Sequence, residues 1–99
     1  MDIKIIEDGK PTVFALVGRL DTNTSPQLEE FAGELFENGK LDIIVDMAEC
    51  DFVSSAGLRV IVAMQKRVVN NGSLVFRNVQ SDVMDVFEMT GFSRILTFE

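Results

Sequence analysis

A chain of 99 residues, 46% apolar and 25% charged, has the composition of one globular domain. At this length it buries roughly two thirds of its unfolded surface and needs no disulfide or metal staple to fold. The formal charge of −7, with no cluster of Lys and Arg to offset it, argues against a nucleic-acid partner or an anionic membrane. The absence of His removes Ser-His and Cys-His nucleophile pairs and histidine metal sites, and several enzyme classes with them; no enzyme, cofactor or metal is expected.

Ile3, Ile5 and Ile6, interleaved with Lys4 and Glu7, predict a first strand. Asp8-Gly9-Lys10-Pro11 is a turn signal, and Thr12 to Leu20 is β-branched and apolar, so the first two strands are expected to form an antiparallel hairpin. Asp21-Thr22-Asn23-Thr24-Ser25-Pro26 is a polar loop ending in helix-start chemistry. Thr24 or Ser25 is placed to cap, and Pro26 suits the first turn, where its missing N–H costs nothing. Leu28, Phe31, Ala32, Leu35 and Phe36 follow at helical spacing, and Asn38-Gly39 ends the helix.

Leu41 to Met47 is an apolar run broken by Asp42 and Asp46, expected as a strand covered on both faces. A second helix starts near Ser54–Gly57, with Leu58, Ile61, Val62, Gln65, Val68 and Val69 predicted inward, and Asn70-Asn71-Gly72 stops it. Ser73 to Arg77 reads as a fourth strand. Ser81 opens a short helix with Val83, Val86 and Phe87 on one side and Gly91 at its end, and Arg94 to Phe98 closes as a strand. The order strand, strand, helix, strand, helix, strand, helix, strand predicts a single α/β domain over residues 1–99. It has a mostly parallel mixed sheet, an N-terminal antiparallel hairpin and three helices.

No run reaches the length of a membrane span, Met1-Asp2-Ile3-Lys4 lacks signal-peptide character, and the lone Cys50 has no internal disulfide partner. A reducing, cytoplasmic location is expected. Asp21, Asp46 and Asp51 read as turn and strand-end acids rather than a cation site. No phosphate-binding glycine loop is present.

The chemistry concentrates in Phe52-Val53-Ser54-Ser55-Ala56-Gly57-Leu58, where two adjacent hydroxyls precede an apolar-periodic helix. A hydroxyl there caps free N–H groups; a phosphate there meets unpaired donors and a partial positive charge. Both readings stand on position alone. Gly57, next to Ala56, marks close packing or contact at the helix start, and Arg59 opposes the helix dipole in the first turn. That small cost invites a role, pairing with an acid such as Asp51 or touching a partner.

These motifs resemble the STAS domain family, the sulfate transporter and anti-sigma-factor antagonist domains, and more narrowly its free-standing bacterial antagonists. The resemblance covers essentially the whole chain. It is carried by Gly18-Arg19-Leu20-Asp21, by Ile43-Ile44-Val45-Asp46-Met47 with the segment Phe52 to Leu58, and by Val86 to Phe92 followed by Ile95-Leu96 and Phe98. Family antagonists usually read Asp-Ser-Ser/Thr-Gly-Leu-Gly, phosphorylated on the first hydroxyl after the Asp. By position this acceptor is Ser55; Ser54 stands where the family has Asp, Ala56 where it has Ser or Thr, and Arg59 where it has the last Gly. Ser54 is thereby a second possible acceptor.

The resemblance implies partner switching. The unphosphorylated antagonist binds an anti-sigma factor that is itself a serine kinase and so frees a sigma factor. Phosphorylation ends the complex, and a serine phosphatase resets it. It implies a partner-binding surface at Asp21, Thr22 and Asn23 of the loop and Ser54, Ser55, Ala56, Gly57 and Arg59 of the helix start. The alternative is a STAS-type scaffold with a different partner and no phosphoswitch.

Overall fold

The computed structural model describes all residues from Met1 to Glu99. In chain order the elements are β1 (Asp2–Asp8), β2 (Thr12–Leu20), α1 (Ser25–Glu37), β3 (Asp42–Asp46), β4 (Cys50–Val53), α2 (Ser55–Val68), β5 (Ser73–Arg77), α3 (Ser81–Met89), a 3-10 turn (Phe92–Arg94) and β6 (Thr97–Phe98). The sheet runs β1-β2-β3-β5-β6, with β4 paired to β2 off that path. Only β1–β2 is antiparallel. The expected mixed sheet, N-terminal hairpin and three helices are all present.

Strand pairing sets which side chains share a face. Phe14 lies opposite Val45, and Val45 opposite Phe76, so these three point the same way and are buried. Phe31 of α1 meets Phe14 edge-on at 4.8 Å between ring centroids, and Phe87 of α3 lies 6.2 Å from Phe76. Since α2 packs against α1 and β5, all three helices cover one face of the sheet. This corrects the expectation that the third strand is covered on both sides. Ile43, Val45 and Met47 are buried, whereas Ile44 on the opposite face is only half-buried.

β4 was not expected. Its pairing with β2, Gly18 to Cys50 and Leu20 to Val53, continues the β2–β3 ladder after a break at Met47–Glu49. The break is tied down by Asp46, which accepts from the Ala48 N–H and from Arg77 Nε at 3.2 Å. Burial pushes the Asp46 carboxyl up, but the Ala48 and Arg77 hydrogen bonds outweigh it and leave its pKa below the ordinary value.

The inward face of α2 also differs from expectation. Leu58, Ile61 and Val68 are buried, but so are Val60 and Met64, while Val62 and Gln65 are half-buried and Val69 is 63% exposed. Packing against α1 on one flank turns the stripe by about one residue. The last strand is shorter than predicted: Gly91, at φ 81°, turns the chain into the 3-10 turn, leaving only Thr97–Phe98 to pair with β5.

Candidate functional site

The C-terminal ends of β2 and β4 lie side by side and each feeds a helix. From β2 the chain passes through Asp21–Thr24 into α1; from β4 it passes through Ser54 into α2. The Ser54 N–H donates to the Leu20 carbonyl at 2.8 Å, which locks the two exits together. The predicted loop and helix-start residues therefore sit at one end of the sheet, beyond its strand ends, where parallel α/β sheets place ligand and partner sites.

Ser54 is the N-cap of α2. Its Oγ accepts from the Gly57 N–H at 3.2 Å, and its carbonyl accepts from the Leu58 N–H at 2.9 Å. Ser55 is the first helical residue; it is exposed, and its hydroxyl makes no hydrogen bond. The structure thus separates the two adjacent serines, one hydroxyl serving the fold and the other unengaged. The backbone N–H groups of Ser55 and Ala56 are left without partners at the helix start.

Gly57 is needed for this geometry. A Cβ there would stand 2.7 Å from Leu20 Cγ and 3.0 Å from the Leu20 carbonyl oxygen. Its role is the close approach of the α2 start to the end of β2. Ala56 beside it is half-buried.

Asp21 organises the neighbouring loop. Its Oδ1 accepts from the backbone N–H groups of Thr24 and Asn23, both at 3.0 Å, and its own N–H donates to Thr24 Oγ1 at 2.8 Å. The hydrogen bond from the Thr24 N–H, chief among several, holds the carboxyl below the usual carboxylate range. Thr24 is the N-cap residue of α1, but neither its hydroxyl nor that of Ser25 bonds the free N–H groups of the helix. Thr24 Oγ1 reaches back to the Arg19 carbonyl at 2.7 Å, and Ser25 Oγ donates to the Asp21 carbonyl. Thr22 and Asn23 stand exposed at the loop tip.

Arg59 is exposed on the first turn of α2 and is ion-paired to no acid, Asp51 included. Its cation is therefore available to a partner. Cys50 is a core position of β4; burial, above all, pushes its thiol pKa up.

One pair at this end was not anticipated as part of the site. β2–β4 pairing sets Arg19 opposite Phe52, with the guanidinium 4.0 Å from the ring centroid. Phe52 is 37% exposed, and Arg19 Nε lies 4.0 Å from Asp21 Oδ2. The sequence signal would have been an apolar Phe52 between Asp51 and a core Val53, which only a strand assignment explains.

Helices on one face of a mixed sheet, an unengaged hydroxyl at the start of α2 and an exposed cation–aromatic pair across β2 and β4 describe a small α/β domain. The chain belongs to the STAS domain family, whose profile matches residues 2–99. It is 35% identical over 85 residues to BtrV of Bordetella bronchiseptica, named as an anti-sigma factor antagonist, covering 84% of this chain and 72% of that protein. To the anti-sigma-B factor antagonist of Staphylococcus aureus it is 30% identical over 80 residues, covering 80% and 74%. The fold matches the phosphorylated form of the Bacillus cell-fate determinant SpoIIAA with a TM-score of 0.73 at 17% identity, over 99% of this chain and 91% of that one. The chain is accordingly a regulatory binding module and not an enzyme. No helix is long and apolar enough to cross a membrane.

Proposed function

We propose that this STAS domain is an anti-sigma-factor antagonist that works in the cytoplasm by partner switching and is controlled by phosphorylation at Ser55. In the unphosphorylated state the β2–α1 loop and the α2 start bind an anti-sigma factor with serine kinase activity, and a sigma factor is released to direct transcription. Asp21, Thr22, Asn23, Ser54, Ser55, Ala56, Gly57 and Arg59 form the contact surface, extended by Arg19 and Phe52. The kinase transfers the γ-phosphoryl group of ATP to Ser55 Oγ; the hydroxyl loses its proton and ADP leaves. A serine phosphatase hydrolyses the ester and resets the switch.

The observation that carries this reading is the unengaged Ser55 hydroxyl beside two unpaired backbone donors, next to a Ser54 hydroxyl already committed as a cap. A phosphoryl group adds about −1.5 to −2 charges at neutral pH. The free N–H groups and the helix dipole tolerate that charge in the isolated domain. In a covered interface the same charge must be desolvated near Asp21 and Asp51. A penalty of a few kcal/mol there lowers affinity roughly a hundredfold to a thousandfold.

The names of the relatives support the antagonist role, and the match to a phosphorylated structure supports a fold able to carry the modification. The test is incubation with the cognate anti-sigma kinase and ATP, followed by mass mapping. Phosphate at Ser55, lost in Ser55→Ala with partner binding kept, is expected; undiminished labelling of Ser55→Ala would move the site to Ser54 or elsewhere. The serine at position 54, where family antagonists carry Asp, favours a second reading: a STAS scaffold with another partner and no phosphoswitch. Binding to a partner with no phosphate transfer under any condition would select it.

A further inference from the structure

The two helices that form the outer layer carry opposite charges. α1 contains Glu29, Glu30, Glu34 and Glu37 and no base; α2 contains Arg59, Lys66 and Arg67 and no acid. All seven are exposed, and no ion pair joins one helix to the other. Between them runs a cleft of about 270 Å³ floored by Ala32, Gly33 and Phe36 of α1 and Val60, Ala63 and Met64 of α2. Space is open above Gly33, where an added Cβ would meet nothing within 4 Å. An acidic ridge and a basic ridge thus flank an apolar floor of mostly small side chains.

Both helices return from parallel strands, so they run in the same direction, and Arg67 lies over the Phe36 ring at 4.9 Å. Level with each other are therefore the C-terminal turns, Glu34 and Glu37 beside Lys66 and Arg67. The N-terminal turns, with Glu29 and Glu30 beside Arg59, are level likewise. A two-fold axis laid along the cleft carries α1 of one copy over α2 of the other without changing these levels. Glu29 and Glu30 then face Arg59, and Glu34 and Glu37 face Lys66 and Arg67, twice over. A two-fold axis across the cleft would instead set acid on acid. The surface is self-complementary in one orientation only, as an isologous contact requires.

We infer that the α1–α2 face is an interaction surface whose occupant is a second copy of this chain, related by a two-fold axis along the cleft. The four helices form one layer pair, with the apolar floor at its centre and the acid–base rows along its edges. The net charge of −7 per copy does not forbid this, because charges more than about 8 Å apart are largely screened at physiological salt while facing pairs are not. The inference does not rest on the phosphoswitch. Its decisive residues, Glu34, Glu37, Lys66 and Arg67, lie at the end of the helices away from Ser55.

Sedimentation equilibrium of the full chain at high micromolar concentration and physiological salt tests it. A monomer–dimer equilibrium is expected, weakened about tenfold or more by high salt. The charge reversals Lys66→Glu with Arg67→Glu, and separately Glu34→Lys with Glu37→Lys, are each expected to raise the dimer dissociation constant roughly a hundredfold. Mixed together, the two reversed proteins are expected to form a heterodimer, since each supplies the row the other lacks. Circular dichroism checks that both variants remain folded; should either fail to fold, the single changes Lys66→Glu and Glu34→Lys are mixed in their place. A native chain that stays monomeric throughout would overturn the inference. So would a dimer indifferent to both reversals, or reversed proteins that do not pair with each other.

Discussion

The entrances to α1 and α2 are built from similar residues and do opposite things. Each follows a strand end, and each presents two adjacent hydroxyls, Thr24-Ser25 and Ser54-Ser55. At the first entrance both hydroxyls are spent on the loop: Thr24 bonds the Arg19 carbonyl, Ser25 bonds the Asp21 carbonyl, and Ser25 is buried. At the second, Ser54 caps the helix and Ser55 is left in solvent. What makes a hydroxyl available for chemistry is therefore not its place before a helix. It is whether the surrounding backbone has already claimed it.

The largest contrast comes from placing a carboxylate at each entrance. Ser25→Glu buries an unpaired charge and is expected to destabilise the domain by about 3 kcal/mol or more, read by urea unfolding. Ser55→Glu is expected to leave stability within about 0.5 kcal/mol. Calorimetry with the anti-sigma partner should instead show its affinity lowered roughly a hundredfold. Equal destabilisation by the two changes would erase the distinction. Next in size is a pair of glycine replacements. Gly57→Ala drives a Cβ against Leu20 and is expected to cost about 1–3 kcal/mol, whereas Gly33→Ala, in open space on α1, is expected to stabilise by about 0.4–1 kcal/mol.

Ser54→Ala removes the α2 cap and is expected to cost about 1 kcal/mol, with labelling at Ser55 retained. The smallest effect is a pH dependence at the first entrance. The Asp21 carboxyl is held below the ordinary carboxylate value, chiefly by the Thr24 N–H. A group lowered on folding stabilises the folded state above its unfolded pKa, and that contribution is lost as pH falls through the folded one. Thermal melts between neutral pH and about pH 2 should therefore show an acid-side decline that is shallower in Asp21→Asn.

Much of this arrangement was legible before the structure because local spacing determines it. Phe31, Leu35 and Phe36 announce α1, the Asp8-Gly9 turn announces the hairpin, and Ser54-Ser55 announces the start of α2. β4 was hidden because its four residues do not alternate: Asp51 and Phe52 are both exposed between buried Cys50 and Val53, where the register with β2 shifts. Its partner is the end of β2, some thirty residues earlier in the chain. The Arg19–Phe52 stack depends on that register and was invisible for the same reason. The division of labour between Ser54 and Ser55 is likewise a matter of which atom reaches the Gly57 N–H, and residue types alone leave it open.

The buried Cys50 has a use beyond packing. Its sulfur sits in β4, four residues before the α2 cap, with no solvent exposure and a raised pKa. A thiol so placed is shielded from alkylating reagents while β4 stays docked and reacts only when the strand lifts away. Native-state alkylation kinetics would thus time the opening of the strand that supports Ser54 and Ser55, using a clock the chain already contains.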